Sequence, residues 1–325
     1  MAQLHLWKVY SLPVLRSGLS ALPIRPTVMK SLTVFHNKIL RGFLKLSSSS
    51  PVPSLYFLMG ELPIDAIFHI DLLSLFYNIL SNTETKLFQV AKYIMMMSDE
   101  SSITWCNHVR VLCKLYSLPD PLQLLQCSPV SKAAWKTLVV TKVTVHHERS
   151  LREKAAINSN MNYLNVQLLG LSGRPHPALQ NITETRQALK CRAHLQLLSG
   201  DFVTYEVIGR QQRSDQSCKL CPAAIESIQH ILTECPATSE TRERLLPELL
   251  NIIAGSHPNN GLLESTTTKS TLTQFLLDPT SANLSNKFRI SVQHPQLQYL
   301  FTISRDWCYA VTSSRKKQLA SKKNS

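Results

Sequence analysis

The stretch CKLCPAAIESIQHILTEC, Cys218–Cys235, decides how the rest of the chain is read. Two residues separate Cys218 from Cys221, eight lead on to His230, and four more to Cys235. A C-x2-C turn lets two sulfurs converge on one ion. A second His/Cys pair close by completes the tetrahedral thiolate and imidazole shell of structural zinc sites. Ile225, Ile228, Ile231 and Leu232 fall on one helical face, which places His230 on a helix. Helical positions five apart diverge by about 140°. His230 and Cys235 therefore share an ion only if the helix ends between them, and Pro236 is consistent with such an end. The competing readings are four unlinked residues or a Cys218–Cys221 disulfide.

Four protein ligands leave no position for water, so zinc here is expected to be structural and not catalytic. Three thiolates around Zn²⁺ leave one net negative charge, and Lys219 is the expected compensating cation. Metal binding then acts as folding energy for a short segment with little core of its own. Other Cys and His residues read differently. Cys106, His108 and Cys113 lack a paired CxxC. Cys191 and His194 lie one helical turn apart, and Cys127 and Cys308 read as buried thiols. His146 and His147 are adjacent and are expected to point apart.

The 325-residue chain has 44% hydrophobic and 17% charged residues and a formal charge of +14. That length and apolar content support a real core and exclude a fully disordered chain. Nine glycines argue against a turn-rich β-barrel and a glycine-rich nucleotide fold. The positive excess suggests a polyanionic partner, nucleic acid first and an anionic membrane surface second. Lys8, Arg16, Arg25 and several prolines interrupt the N-terminal stretch, so no signal peptide is expected. The apolar run Leu55–Leu80 carries Glu61, Asp65, His69 and Asp71 and does not read as a membrane span. The expected location is intracellular, in the nucleus or cytoplasm, with the cysteines as thiols or ligands.

Hydrophobic spacing predicts a mainly α protein. Thr27–Leu46 puts Val28, Leu32, Phe35, Ile39 and Phe43 on one face and Lys30, Lys38, Arg41 and Lys45 on another. After a break at Ser47–Pro53, a helix over Pro63–Leu80 begins with proline in its first turn. Further helices are expected at Thr85–Met97, Ser102–Tyr116, Lys132–Ala156, Thr183–Ser199 and His294–Lys317, with Gly200 as a stop. Lys132–Ala156 carries Lys132, Lys136, Lys142, Arg149, Arg152 and Lys154 against Glu148 and Glu153. The expected organisation is a helical thumb-like region (1–130), a basic helical middle (131–200), a zinc-binding module (201–255), a polar connector (256–290) and a terminal helix with basic tail (291–325). GxxxxGK[ST], HExxH, GxSxG and adjacent aspartates do not occur. Two-metal phosphoryl transfer needs clustered carboxylates, so no catalytic residue is assigned.

CKLCPAAIESIQHILTECP resembles the zinc-binding segment after the polymerase domain of animal non-LTR (LINE-type) retrotransposon reverse transcriptases. SLYFLMGELPIDAIFHIDLLSLFYNIL (Ser54–Leu80) looks like the helical region following their palm. YSLPDPLQLL (Tyr116–Leu125), GRPHP (Gly173–Pro177) and CRAHLQLLSGDF (Cys191–Phe202) are similar to later blocks. FTISRDWCYAVTSSRKKQL (Phe301–Leu319) is similar to the closing helix. The resemblance implies a truncated element protein with Cys218, Cys221, His230 and Cys235 as ligands and without the polymerase residues. It also implies RNA or DNA as partner, with no membrane and no small-molecule substrate. The expected phosphate contacts are Lys30, Lys38, Arg41, Lys45, Lys132, Lys136, Arg149, Arg152, Arg315, Lys316 and Lys317. Trp307 and Tyr309 are the aromatic candidates. The alternative is a zinc-stabilised protein-interaction module whose basic residues only solubilise.

Overall fold

The structure, a computed structural model, describes residues 2–97, 104–126, 131–212, 215–221, 225–255, 269–281 and 295–321. It is mainly α, as the hydrophobic spacing predicts. The expected polar connector, Cys127, and the tail lysines Lys322 and Lys323 fall largely or wholly outside the described residues. In chain order the helices are α1 Ala2–Leu6, α2 Leu12–Arg16, α3 Pro26–Leu44, α4 Val52–Met59, α5 Ile64–Leu80, α6 Lys86–Met97 and α7 Trp105–Leu115. They continue as α8 Pro121–Gln126, α9 Lys132–Ile157, α10 Thr185–Leu198, α11 Tyr205–Gln212, α12 Ser239–Gly255, α13 Lys269–Leu277 and α14 Pro295–Ser321. No single helix among the described residues is long and apolar enough to cross a membrane.

The chain divides into two compact units. The first comprises Met1–Leu40, Glu61–Lys154 and Leu171–Gly173, and the second Arg41–Gly60, Ala155–Gly170 and Arg174–Ser325. In the first unit, α5 is buried nearly all round, with Leu72, Leu73 and Phe76 fully enclosed. Its N-cap is Pro63, one step outside the expected first turn, and Asp65 complements the helix dipole. Thr104 caps α7 by accepting a hydrogen bond from the Asn107 N–H, which sets the start three residues later than the spacing suggests. Trp135 of α9 enters the core, stacks on Tyr77 at 6.1 Å and donates its indole N–H to the Leu73 carbonyl at 3.0 Å.

Helix α3 turns a different face inward from the expected one. Val28 and Phe35 are about half exposed, whereas His36, Leu40 and Leu44 are buried. Burial drives the His36 pKa down to about 4, so the neutral ring packs as an apolar group and stacks on Trp7 at 6.0 Å. Period counting cannot anticipate a histidine acting as core. The helix ends at Leu44, and Lys45 adopts a left-handed conformation with φ 54°.

The second unit is built on α10 and α14, with Leu197, Leu198, Leu300, Phe301, Trp307 and Val311 buried. Helix α4, a turn of chain the spacing does not reveal, ends at Gly60. A Cβ there would lie 2.1 Å from the Arg174 carbonyl oxygen, and φ is +64°, so only glycine fits. Gly200 stops α10 as expected, with φ +75°. Trp307 is wholly buried, which removes it as a base-stacking surface.

Candidate metal centre

Short backbone pieces position the four ligands, and longer helices hold those pieces. Ser217 and Ile225 form an antiparallel bridge that closes the loop carrying Cys218 and Cys221. Ile225 sits in this bridge, half exposed, and not on the helical face expected for it. The helix begins at residue 228 and widens into one π-turn, His230–Glu234. Cys235 lies beyond it in extended conformation, with φ −59° and ψ 124°, and its N–H bonds the His230 carbonyl at 2.7 Å. The break between His230 and Cys235 required by their spacing is therefore present, immediately before Pro236.

This break gathers the ligands. The donor atoms of Cys218, Cys221, His230 and Cys235 all lie within 4.8 Å of one another. Cys221 Sγ is 3.2 Å from His230 Nε2 and 3.5 Å from Cys235 Sγ, and Cys218 Sγ is 4.0 Å from Cys235 Sγ. Cys218, His230 and Cys235 are buried, while Cys221 keeps partial exposure as a residue. All seven described cysteines are free thiols, so no Cys218–Cys221 disulfide forms. The cluster can hold a metal ion. Burial pushes the Cys235 thiol up to about 12 and raises Cys218. A cation at the centre removes this cost by taking the thiolates as ligands.

Supporting groups orient the cluster. His230 Nε2 faces Cys221, and its Nδ1, otherwise without a hydrogen bond, lies 3.8 Å from the Glu234 carboxylate. A carboxylate on the far nitrogen is the usual means of fixing a metal-binding imidazole. Arg242 donates to the Cys235 carbonyl at 2.7 Å. Trp307 donates its indole N–H to the Leu232 carbonyl at 3.2 Å, tying the π-turn to α14. Glu226 is completely buried, 3.8 Å from Cys218 Sγ, and accepts from Arg315 at 2.6 Å.

Lys219, the expected compensating cation, has a carboxylate partner of its own. Its ammonium pairs with Asp215 at 2.5 Å and lies over the Tyr205 ring. The cation closest in function is Arg315, which reaches Glu226 from α14 and stacks near Phe202 and Tyr205. Arg315 is thus engaged within the second unit. Among the other expected phosphate contacts, Lys30, Lys38, Lys45, Lys132, Lys136, Lys316 and Lys317 are exposed. Arg41 bonds Ser50, Arg149 pairs with Glu153, and Arg152 pairs with Glu148.

The remaining cysteines and histidines have other partners. Cys191 donates to the Ala178 carbonyl, and His194 donates its Nε2–H to the Leu277 carbonyl at 2.7 Å. Cys106 contacts the Ala91 carbonyl. His146 and His147 do not diverge as expected: both rings pack on Tyr116, together with His69. The Tyr116 hydroxyl bridges His69 Nδ1 at 2.6 Å and His147 Nε2 at 3.1 Å. No family model, curated protein or solved structure matches the chain.

Proposed function

We propose that the chain is a non-catalytic nucleic-acid-binding remnant of a LINE-type reverse transcriptase, carrying one structural zinc ion and gripping RNA or DNA mainly through phosphates. The observation that carries this reading is the convergence of Cys218, Cys221, His230 and Cys235 within 4.8 Å. Tetrahedral zinc with Zn–S near 2.3 Å and Zn–N near 2.0 Å implies S···S edges of about 3.8 Å and S···N edges of about 3.5 Å. The observed separations of 4.0, 3.5 and 3.2 Å are within a few tenths of those edges. Three sulfurs and an imidazole favour zinc over the hard, oxygen-seeking cations. The formal charge of +14 and the exposed lysines of α3, α9 and α14 supply the phosphate-binding side.

A salt titration tests this reading. Affinity for single-stranded RNA or duplex DNA should fall by about 0.7–0.9 log units per phosphate contact for each tenfold rise in salt. Affinity that does not change with salt, or no binding at low salt, overturns it. Primer extension on an RNA template should stay at background.

A second reading, a protein-interaction module, has its own support in α6. Leu87, Val90, Tyr93 and Met97 follow helical spacing and are each more than half exposed. A soluble partner protein that binds the full chain and is lost in a Val90→Asp, Tyr93→Asp variant, with no nucleic-acid binding, would replace the first reading.

A further inference from the structure

The first helical stretch of the chain is apolar on two sides. Helix α1, a π-turn over Trp7–Ser11 and helix α2 run on as one rod, since Leu6, Ser11 and Leu12 all keep helical backbone angles. Residues 2–16 of this rod span about 22 Å. Leu4, Trp7 and Leu12 are buried and fix one side of it to the first unit. Leu6, Val9, Tyr10 and Val14 lie on the other side and are exposed, Tyr10 by 65% and Val14 by 75%. A π-turn takes more residues per rotation than an α-turn, so the four-residue steps from Leu6 to Tyr10 and on to Val14 stay nearly in line. Trp7 meets α3 at Phe35, with ring centroids 6.4 Å apart. Phe35 and Val34 are at least half exposed, which carries the apolar surface onto α3. A helix that is apolar all round is ordinarily covered all round, and exposed apolar surface of this kind marks an interaction site.

Charge selects what covers it. Residues 1–60 contain seven Lys and Arg and no Asp or Glu. Lys8 and Arg16 pair with Glu61 and Asp71, which lie beyond this stretch. Lys30 and Lys38 of α3 are exposed and have no carboxylate partner among the described residues. A second copy of the chain would set this acid-free surface against itself, cation to cation. Nucleic acid answers the lysines but leaves Leu6, Val9, Val14 and Val34 against its phosphates. A partner helix docks into a groove, whereas Tyr10 and Val14 stand out on a ridge. An anionic bilayer surface meets both demands. Its headgroup–acyl boundary takes the aliphatic side chains, its interface suits a tyrosine, and its phosphates attract the lysines.

We propose that residues 2–16, with Val34 and Phe35, dock on an anionic membrane surface, the rod lying in the plane of the interface. The rod does not cross the bilayer, because it is shorter than the roughly 30 Å hydrocarbon core. This role goes beyond the nucleic-acid reading and departs from the absence of a membrane that the family resemblance implies.

The test mixes the full metal-loaded chain with vesicles of phosphatidylcholine, alone or in equal parts with phosphatidylserine, and measures co-flotation at physiological salt. Binding to the anionic vesicles should be about tenfold tighter. The variant Tyr10→Ser, Val14→Ser should weaken it about tenfold. Its urea midpoint, metal content and RNA salt slope should not change, since both side chains are exposed. Tyr10→Trp should add a blue-shifted emission, relative to wild type, when anionic vesicles are present. No co-flotation overturns the proposal and leaves the nucleic-acid reading standing. Binding that survives the serine variant, or that comes without the emission shift, reduces to charge attraction and overturns docking through this face. Self-association without vesicle binding, abolished in the serine variant, would assign the face to a second copy. Loss of RNA affinity in that variant, again without vesicle binding, would assign it to nucleic acid.

Discussion

Arg315 and Glu226, 89 residues apart in sequence, form a buried ion pair directly behind Cys218. Glu226 has no solvent exposure, and its second oxygen lies 3.8 Å from the Cys218 sulfur. A divalent ion held by three thiolates would carry one net negative charge, and the carboxylate would add another. Arg315 is the counter-charge of the buried Glu226 carboxylate. Removing one partner of a buried pair costs about 3–5 kcal/mol, because the other charge is left stranded. Arg315→Ala should therefore destabilise the protein by that order and weaken metal retention about 10- to 100-fold. Competition with a chromophoric chelator measures the second effect. In the double variant Glu226→Gln, Arg315→Met, part of the loss should return.

The metal itself gives the plainest measurement. Protein purified without chelator should contain one zinc per chain, and a Cys218→Ser, Cys221→Ser variant should contain none. Amide exchange in residues 215–221 should rise sharply in that variant, since Cys218 is the buried residue of this turn. Helix α5 should retain its protection, because its buried face includes Leu72 and Phe76 and needs no metal.

Trp307 offers a more local probe. Its indole N–H bonds the Leu232 carbonyl inside the π-turn that presents His230. Trp307→Phe keeps an aromatic ring but leaves that buried carbonyl unsatisfied, at a cost of about 1–3 kcal/mol. The urea midpoint should fall and metal release should accelerate. A change in stability with metal release unaffected would show that α14 does not steady the turn.

The histidines around Tyr116 predict an acid-labile first unit. His69 is driven down to about 4, first by burial and then by the neighbouring histidines, with Asp65 opposing. His108 is lowered by burial, and His147 by burial and by His146 and Lys154 against the pull of Asp65. The unfolded chain has ordinary histidines near 6.5 and so takes up protons more readily than the native state between about 6.5 and 4. The stability they contribute is full above the unfolded value and is lost as pH falls through this range. Urea unfolding followed by Trp105 and Trp135 fluorescence should show a falling midpoint there. His69→Gln should flatten the slope. A slope unchanged by His69→Gln would assign the effect to other groups.

Legibility in the sequence followed the range of the interactions. The convergence of Cys218, Cys221, His230 and Cys235 is legible from spacing alone, because a C-x2-C turn and a helix ending before Pro236 are local geometry. Gly200 could be read for the same reason, since a left-handed stop needs a glycine. The face of α3 could not. His36 is neutral inside and packs on Trp7, and a hydropathy count treats it as polar. Sequence adjacency points to Lys219 as the counter-charge and leaves out its own partner, Asp215, four residues earlier. Arg315 arrives from α14, and nothing near residue 226 announces it. The rule that neighbours on a helix diverge separates His146 from His147, but Tyr116 is large enough to touch both rings.

The reach of α14 has a consequence for biosynthesis. A chain emerging from the ribosome delivers Cys218, Cys221, His230 and Cys235 well before Trp307 and Arg315, which lie 75 residues beyond Leu232 and 89 beyond Glu226. During that interval the thiols are gathered by local turns only, with Glu226 lacking its guanidinium. The π-turn and Glu226 then reach their final partners on α14 only after residue 315 has been made.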